Sequence, residues 1–300
     1  MPARTIVYSS LGPELEVFEF DPETGALARI QTYRFDVAVQ SAWPNRARTK
    51  LYVISSDAGP MAKVKGPNHF VQAFDIRPTG AIEPACPPVR LRHRALYICL
   101  DADETHLLIA YNDPSGVTVH RIEPDGSVGP EVEQPPLEFG VTVHQVRVTP
   151  HGTIVVVPSC AHHEVGAVPG LVDIFSYDGG RLSPLARMHA DPGRAAKWRG
   201  VKHGAHGFAP RHVEFHPTRP WMYMCVERQG ELRLYDYDEE HVELEPRFIK
   251  STLEGVLSSR SAQLASGVRV HPSGRYVYVS NRANETERVG DVDVFVGGGE

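Results

Sequence analysis

The sequence predicts an all-β fold, a β-propeller, and three observations carry that expectation. First, a unit of strand, polar turn and second strand recurs five times: AVQSAWPNRARTKLYVISS from Ala38, LYICLDADETHLLIAYN from Leu96, HQVRVTPHGTIVVVPSC from His144, RHVEFHPTRPWMYMCVE from Arg211 and SGVRVHPSGRYVYVSNR from Ser266. Second, the turn anchors Pro44, Ala102, Pro150, Pro217 and Pro272 stand 58, 48, 67 and 55 residues apart. Third, a hairpin with Gly or Asp-Gly at its turn follows the strand pair, as in FDIRPTGAI, HRIEPDGSV and IFSYDGGRL. Four short strands every ~50 residues, with no helical period between them, are the signature of propeller blades. A β-sandwich would not repeat its strands so regularly.

Taken in order, VFEFDPETGALARI is the outer hairpin of a first blade, and residues 5–35 supply its strands B, C and D without a strand A. The five repeats follow, and blade six ends after strand C in VDVFVGGGE. One propeller domain over 1–300 is expected, with about six blades visible. Because a propeller closes its ring to remove sheet edges, the closing blade is expected to be absent from this sequence.

The bulk composition narrows the partners. The chain has 300 residues, 41% of them hydrophobic, and a net charge of −6, with no basic block to track a nucleic acid. MPARTIVYSS holds no apolar run of signal-peptide length, and no stretch approaches 18 apolar residues, so neither secretion nor a membrane span is expected. Cys86, Cys99, Cys160 and Cys225 are scattered without a CxxC pair, which suits a cytoplasmic protein. No P-loop, GxGxxG or GxSxG elbow supports a nucleotide or serine-hydrolase reading. His162-His163-Glu164 lacks metal-ligand spacing, so no metal and no cofactor are expected. The His216-Pro217 and His271-Pro272 pairs sit at strand A–B corners and read as turn chemistry.

Register then selects a site. Six residues before the anchor, where strand A opens, stand Ala38, Leu96, His144, Arg211 and Ser266. Ten after it, where strand B ends, stand Asn112, Cys160, Glu227 and Arg282, with Ser56 as the equivalent in blade two. Antiparallel pairing puts the start of A and the end of B at one end of a blade. His144, Arg211, Glu227 and Arg282 are therefore expected to meet at one mouth of the central channel. A lone histidine or arginine is ordinarily a solvated structural residue. Four chemically capable residues in two equivalent registers of adjacent blades are harder to assign that way. The segments 161–170 and 191–207 emerge at the same mouth, and Lys197, Arg199, Lys202, His203 and His206 with Trp198 are expected to form a basic lid that attracts an anion.

VHQVRVTPHGTIVVVP, GFAPRHVEFHPTRPWMYMCVE and ASGVRVHPSGRYVYVSNR resemble the signature strands of the seven-bladed propeller lactonases, which include cycloisomerase-2-type 6-phosphogluconolactonases and the fungal 3-carboxy-cis,cis-muconate lactonizing enzyme. The resemblance runs from Thr5 to Phe295 and is strongest over 140–295. It implies seven blades, no metal, and a catalytic group of His144, Arg211 and Glu227, with Arg282 beside it. The family's GPRH motif stands here as Ala209-Pro210-Arg211-His212. The long 161–170 and 191–207 segments depart from it and leave the substrate open.

The residue types suit a lactone. His144 can act as general base and then acid, Arg211 can hold an oxyanion, and Glu227 can orient Arg211. Arg282, Asn112, Ser56, His203 and His206 are the expected substrate-binding residues for a small anionic or sugar lactone. The same set suits ring-forming addition of a carboxylate to a double bond, so a lactonizing cycloisomerase is an alternative. A non-enzymatic binding platform is another, and that platform would not need His144. Nothing in the sequence sets the oligomeric state.

Overall fold

The computed structural model describes residues 4–59, 66–161, 168–189, 208–253 and 263–283. Among these, every regular element is a strand, and every ladder is antiparallel. The chain divides into two compact units, Met1–Val132 and Glu133–Glu300.

The first unit holds three sheets that follow the chain as up-and-down meanders. They are β1 (Thr5–Leu11), β2 (Glu14–Phe20) and β3 (Leu27–Arg34); β4 (Ala38–Pro44), β5 (Lys50–Ser56), β6 (His69–Ile76) and β7 (Ile82–Pro84), with β8 (Val89–Arg90) also on β6; and β9 (Ala95–Leu100), β10 (His106–Asn112), β11 (Ser115–Ile122) and β12 (Val128–Glu131). The second unit repeats the plan. Its sheets are β13 (Arg147–Val148), β14 (Ile154–Ser159), β15 (Leu171–Asp178) and β16 (Arg181–Met188); β17 (Pro210–Phe215), β18 (Trp221–Val226), β19 (Glu231–Asp236) and β20 (Phe248–Ser251); and β21 (Gln263–Val270) with β22 (Val277–Ala283). Strands A and B of the five sequence repeats are β4–β5, β9–β10, β13–β14, β17–β18 and β21–β22. The remainder of the outer hairpin expected for blade six lies outside the described residues, as do 162–167 and 190–207 with their histidines and cations.

Apolar faces of neighbouring sheets close on each other. Ile54, Ile98 and Ile109 are fully buried in the first unit, and Val156, Val213 and Met224 in the second. Each large aliphatic buried this way contributes about 1.5–3 kcal/mol of transfer free energy. The corners obey the turn chemistry of the sequence. Gly80 and Gly126 take φ of +90° and +83°, and their amides donate to the Arg77 and Glu123 carbonyls at 2.8 Å. At the β17–β18 corner, His216 Nδ1 accepts from the amides of Thr218 and Arg219 at 3.1 and 3.0 Å.

A one-residue register shift recurs in all five A–B pairs. Val39 pairs with Ser55 but Ser41 with Ile54, which leaves Gln40 extra. Ala95 pairs with Tyr111 but Tyr97 with Ala110, leaving Leu96. Pro210 pairs with Val226 but His212 with Cys225, leaving Arg211. In β21 the shift falls at Ser266 and Gly267, and in the third repeat it falls between the Val143–Ser159 bridge and the Arg147–Val156 pair, in the stretch that opens with His144. A bulge frees one residue from the ladder and re-aims its side chain. Counting six residues back from Pro44 places Ala38 in this register; the ladder corrects that to Gln40, because Pro44 still pairs with Leu51 inside the strands, as Phe215 pairs with Met222, and the position equivalent to Pro217 is Arg46.

Gly170 marks where β17 is tied to its neighbour. Its amide donates to the Phe208 carbonyl at 2.8 Å, and a Cβ there would stand 2.3 Å from the Ser159 oxygen and 2.8 Å from that of Phe208. Both obstacles are backbone and cannot swing aside. Gly170→Ala is expected to cost about 1–3 kcal/mol in urea unfolding, and an unchanged midpoint would contradict this close approach.

Candidate active site

The bulge in β17 delivers Arg211 onto the residue that follows β18. Arg211 Nε lies 3.2 Å from Glu227 Oε1, with side chains 12% and 4% exposed. Glu227 is placed by its own backbone: its amide donates to the Ala209 carbonyl at 2.8 Å, and its carbonyl accepts from the Ala265 amide at 3.0 Å. From β22, Arg282 brings Nη2 onto the same Oε1, while its side chain stays 46% exposed. One buried carboxylate thus bridges two guanidiniums, one buried and one open to solvent.

A second bulge fixes Arg211 from the other side. The shift in β21 frees the Ser266 carbonyl from the ladder, and it accepts from Arg211 Nη1 at 2.7 Å and from Cys225 Sγ at 3.1 Å. Among the described residues neither Nε nor Nη2 of Arg211 makes a hydrogen bond, so Nε meets Glu227 as an ion pair. Burial, and then the nearby Arg282, pull the Arg211 guanidinium below its ordinary value, with Glu227 opposing them.

His144 enters from the third repeat. Its amide donates to the Pro158 carbonyl at 2.9 Å, and its ring meets His212 edge-to-face with centroids 5.0 Å apart. The expected long strand A from His144 shortens to Arg147–Val148. Around it the chain kinks: Thr142 and Ala161 both take φ near +60°, and the Gln145 side chain turns to accept the Val213 amide at 2.6 Å. His212 follows Arg211 directly, and burial drives its pKa well below the usual histidine value, with His144 and Arg211 adding to the effect. It is therefore neutral near pH 7.

Burial holds Cys160 and Cys225 as thiols. Cys160 stands in the same register as Glu227 one repeat earlier, and burial pushes its thiol well above the ordinary value. Cys225 is pushed up to about 11 for the same reason. Neither is a thiolate near neutrality.

The register count did not single out His212, nor an ion trio three residues further along the inner strands. Arg147 Nη2 lies 2.7 Å from Glu214 Oε1, and Arg269 Nη1 lies 3.1 Å from Glu214 Oε2. Burial alone would raise the Glu214 carboxyl, but these guanidiniums hold it below the usual range. Shifting the count by three would have revealed the trio, since His144, Arg211 and Ser266 become Arg147, Glu214 and Arg269. Of the other expected residues, Ser56 and Asn112 end β5 and β10 in the first unit. His203 and His206 lie outside the described residues. A cavity of about 620 Å³, lined by Trp221, Tyr223, Arg247, Phe248 and Val279 among others, contains none of the four site residues.

The burial difference between the two arginines sets an energetic test. Glu227→Ala leaves Arg211 buried without its counter-charge and is expected to cost about 3–5 kcal/mol. Arg282→Ala removes a half-open partner and is expected to cost under ~1 kcal/mol. Denaturant unfolding reads both, and equal losses would contradict the assigned geometry.

Comparison with known proteins places the chain. A family model described as lactonase, 7-bladed β-propeller, matches residues 7–293. The 6-phosphogluconolactonase of Bacillus subtilis (strain 168) is 25% identical over 200 residues, which is 65% of this chain and 52% of that protein. The 6-phosphogluconolactonase of Pectobacterium carotovorum (strain PC1) is 26% identical over 187 residues, 62% of this chain and 49% of its own length. The match thus spans about half the length of these curated relatives. Among solved structures, the periplasmic gluconolactonase of Pseudomonas aeruginosa superposes with a TM-score of 0.72 at 16% identity, covering 94% of this chain and 76% of that one. With a family model matching nearly its whole length, this chain belongs to the seven-bladed β-propeller lactonases.

Proposed function

We propose that the protein hydrolyses the lactone of a sugar acid, of the 6-phosphogluconolactone type. The observation that carries the reading is the buried Glu227 carboxylate holding Arg211, with the Arg282 fork on the same oxygen. That arrangement fixes a planar cation while leaving Nη2 to receive charge developing on a carbonyl oxygen. The matched relatives named as 6-phosphogluconolactonases support the substrate class.

The proposed chemistry uses only this chain and water. His144 takes a proton from water as its oxygen bonds to the lactone carbonyl carbon. Arg211 stabilises the oxyanion that forms. Collapse of the tetrahedral adduct breaks the bond to the ring oxygen, and His144 returns its proton to that leaving alkoxide. His212, held neutral, lets the proton reside on His144 without a second imidazolium beside it. Arg282 anchors a distal anionic group. The four thiols among the described residues are free cysteines, in keeping with the proposed reducing cytoplasmic setting.

Hydrolysis of sugar lactones and their phosphates, followed with a pH indicator, tests the reading. His144→Ala is expected to lower kcat by ~10²–10⁴-fold with the fold intact. Arg211→Lys should also be severe, because a point charge does not replace a planar fork. Full turnover in the His144 variant would remove this mechanism. Loss of muconate absorbance with sugar lactones untouched would instead favour the lactonizing direction.

A further inference from the structure

In the second unit the bulge register pairs a guanidinium with a carboxylate; in the first unit the same register holds Gln40 and Leu96, and Gln40 meets a guanidinium from outside the register. Arg94 stands immediately before β9, half-buried, and its Nε donates to Gln40 Oε1 at 3.0 Å. Gln40 is the bulge residue of β4, the counterpart of Arg211, and its own Nε2 donates to the Ala38 carbonyl at 3.1 Å. That second bond fixes the amide so that its oxygen faces Arg94. Among the described residues no acceptor takes the remaining Arg94 donors.

The counterparts of Glu227 here are neutral. Ser56 is 1% exposed, and its hydroxyl lies 2.9 Å from His69 Nδ1 and accepts the Ala58 amide at 2.9 Å. Asn112 carries no charge either. The nearby carboxylates are committed elsewhere. Arg90 Nη2 donates to the Pro67 carbonyl at 2.8 Å, and His93 packs edge-on to Tyr111. Burial lowers the His69 pKa, and His93, Arg90 and Arg94 lower it further against the pull of Asp57. Asp57 is itself committed to the Asn68 amide and Nδ2, at 2.9 and 2.8 Å. Arg92 pairs outward with Glu131 at 3.1 Å. A half-buried cation held in place without a counter-charge is costly unless an anion from outside completes it.

We propose that Arg94, oriented by Gln40, binds the phosphate or carboxylate group of a small sugar-acid ligand. The anion site stands on the first unit alone; only the sugar-acid identity rests on the lactonase reading.

Calorimetric titration of the full chain with 6-phosphogluconate, gluconate and inorganic phosphate tests it. Arg94→Gln is expected to weaken 6-phosphogluconate by about 10–100-fold, the worth of a charge-assisted hydrogen-bond pair, with Tm unchanged or higher. If phosphate is the group held, inorganic phosphate competes and gluconate binds weakly. If carboxylate is held, gluconate matches 6-phosphogluconate and loses equally in the variant. Affinities within twofold of wild type in Arg94→Gln, or no binding of any of the three by wild type, would overturn the assignment. Arg94-dependent binding without lactone turnover would instead sink the lactonase reading and leave the anion site standing.

Discussion

Glu227 is the constraint on which the second unit depends. Its side chain is 4% exposed and charged, so it must be held by cations that are themselves fixed. Arg211 meets that demand only because the β17 bulge releases it from the ladder and the β21 bulge offers the Ser266 carbonyl to its far nitrogen. The carboxylate, the guanidinium and two bulges in neighbouring sheets thus form one unit. Removing any of them leaves a buried polar group without its partner. An apolar core would be cheaper to build, and a charged cluster kept at this depth is what electrostatic preorganisation for catalysis requires.

The recurring bulge explains how one strand pattern yields different chemistry. The same extra residue is Gln40, Leu96 or Arg211, and the residue ending strand B is Ser56, Asn112, Cys160, Glu227 or Arg282. The backbone supplies the aim, and the local side chain supplies the function. Val213 and Phe215 on the alternate positions of β17 lock into the apolar core, so the strand cannot slip and turn Arg211 away.

Much of this was legible in the sequence because period-two alternation, turn glycines and the anchor spacing are all local signals. They placed Arg211 where strand A opens and Glu227 and Arg282 where strand B ends, at one end of the blades, and the structure brings their side chains together. Three features were not legible. Pro44 stands within the β4 ladder rather than at the turn, so a count from it puts Ala38 in the place of Gln40. The partnership of His144 with His212 depends on a ring contact between strands far apart in sequence. The shortening of β13 follows from Gln145 spending its side chain on the Val213 amide, a tertiary contact that overrides strand propensity.

In the proposed chemistry Arg211 and His144 direct water onto a lactone carbonyl. Turnover of a sugar-acid lactone in ¹⁸O-labelled water, with the product analysed by mass spectrometry, tests it most directly. The account expects one ¹⁸O atom in the product carboxylate and none at the carbon bearing the released hydroxyl. Label at that carbon, or an unlabelled unsaturated product formed by elimination, would contradict it.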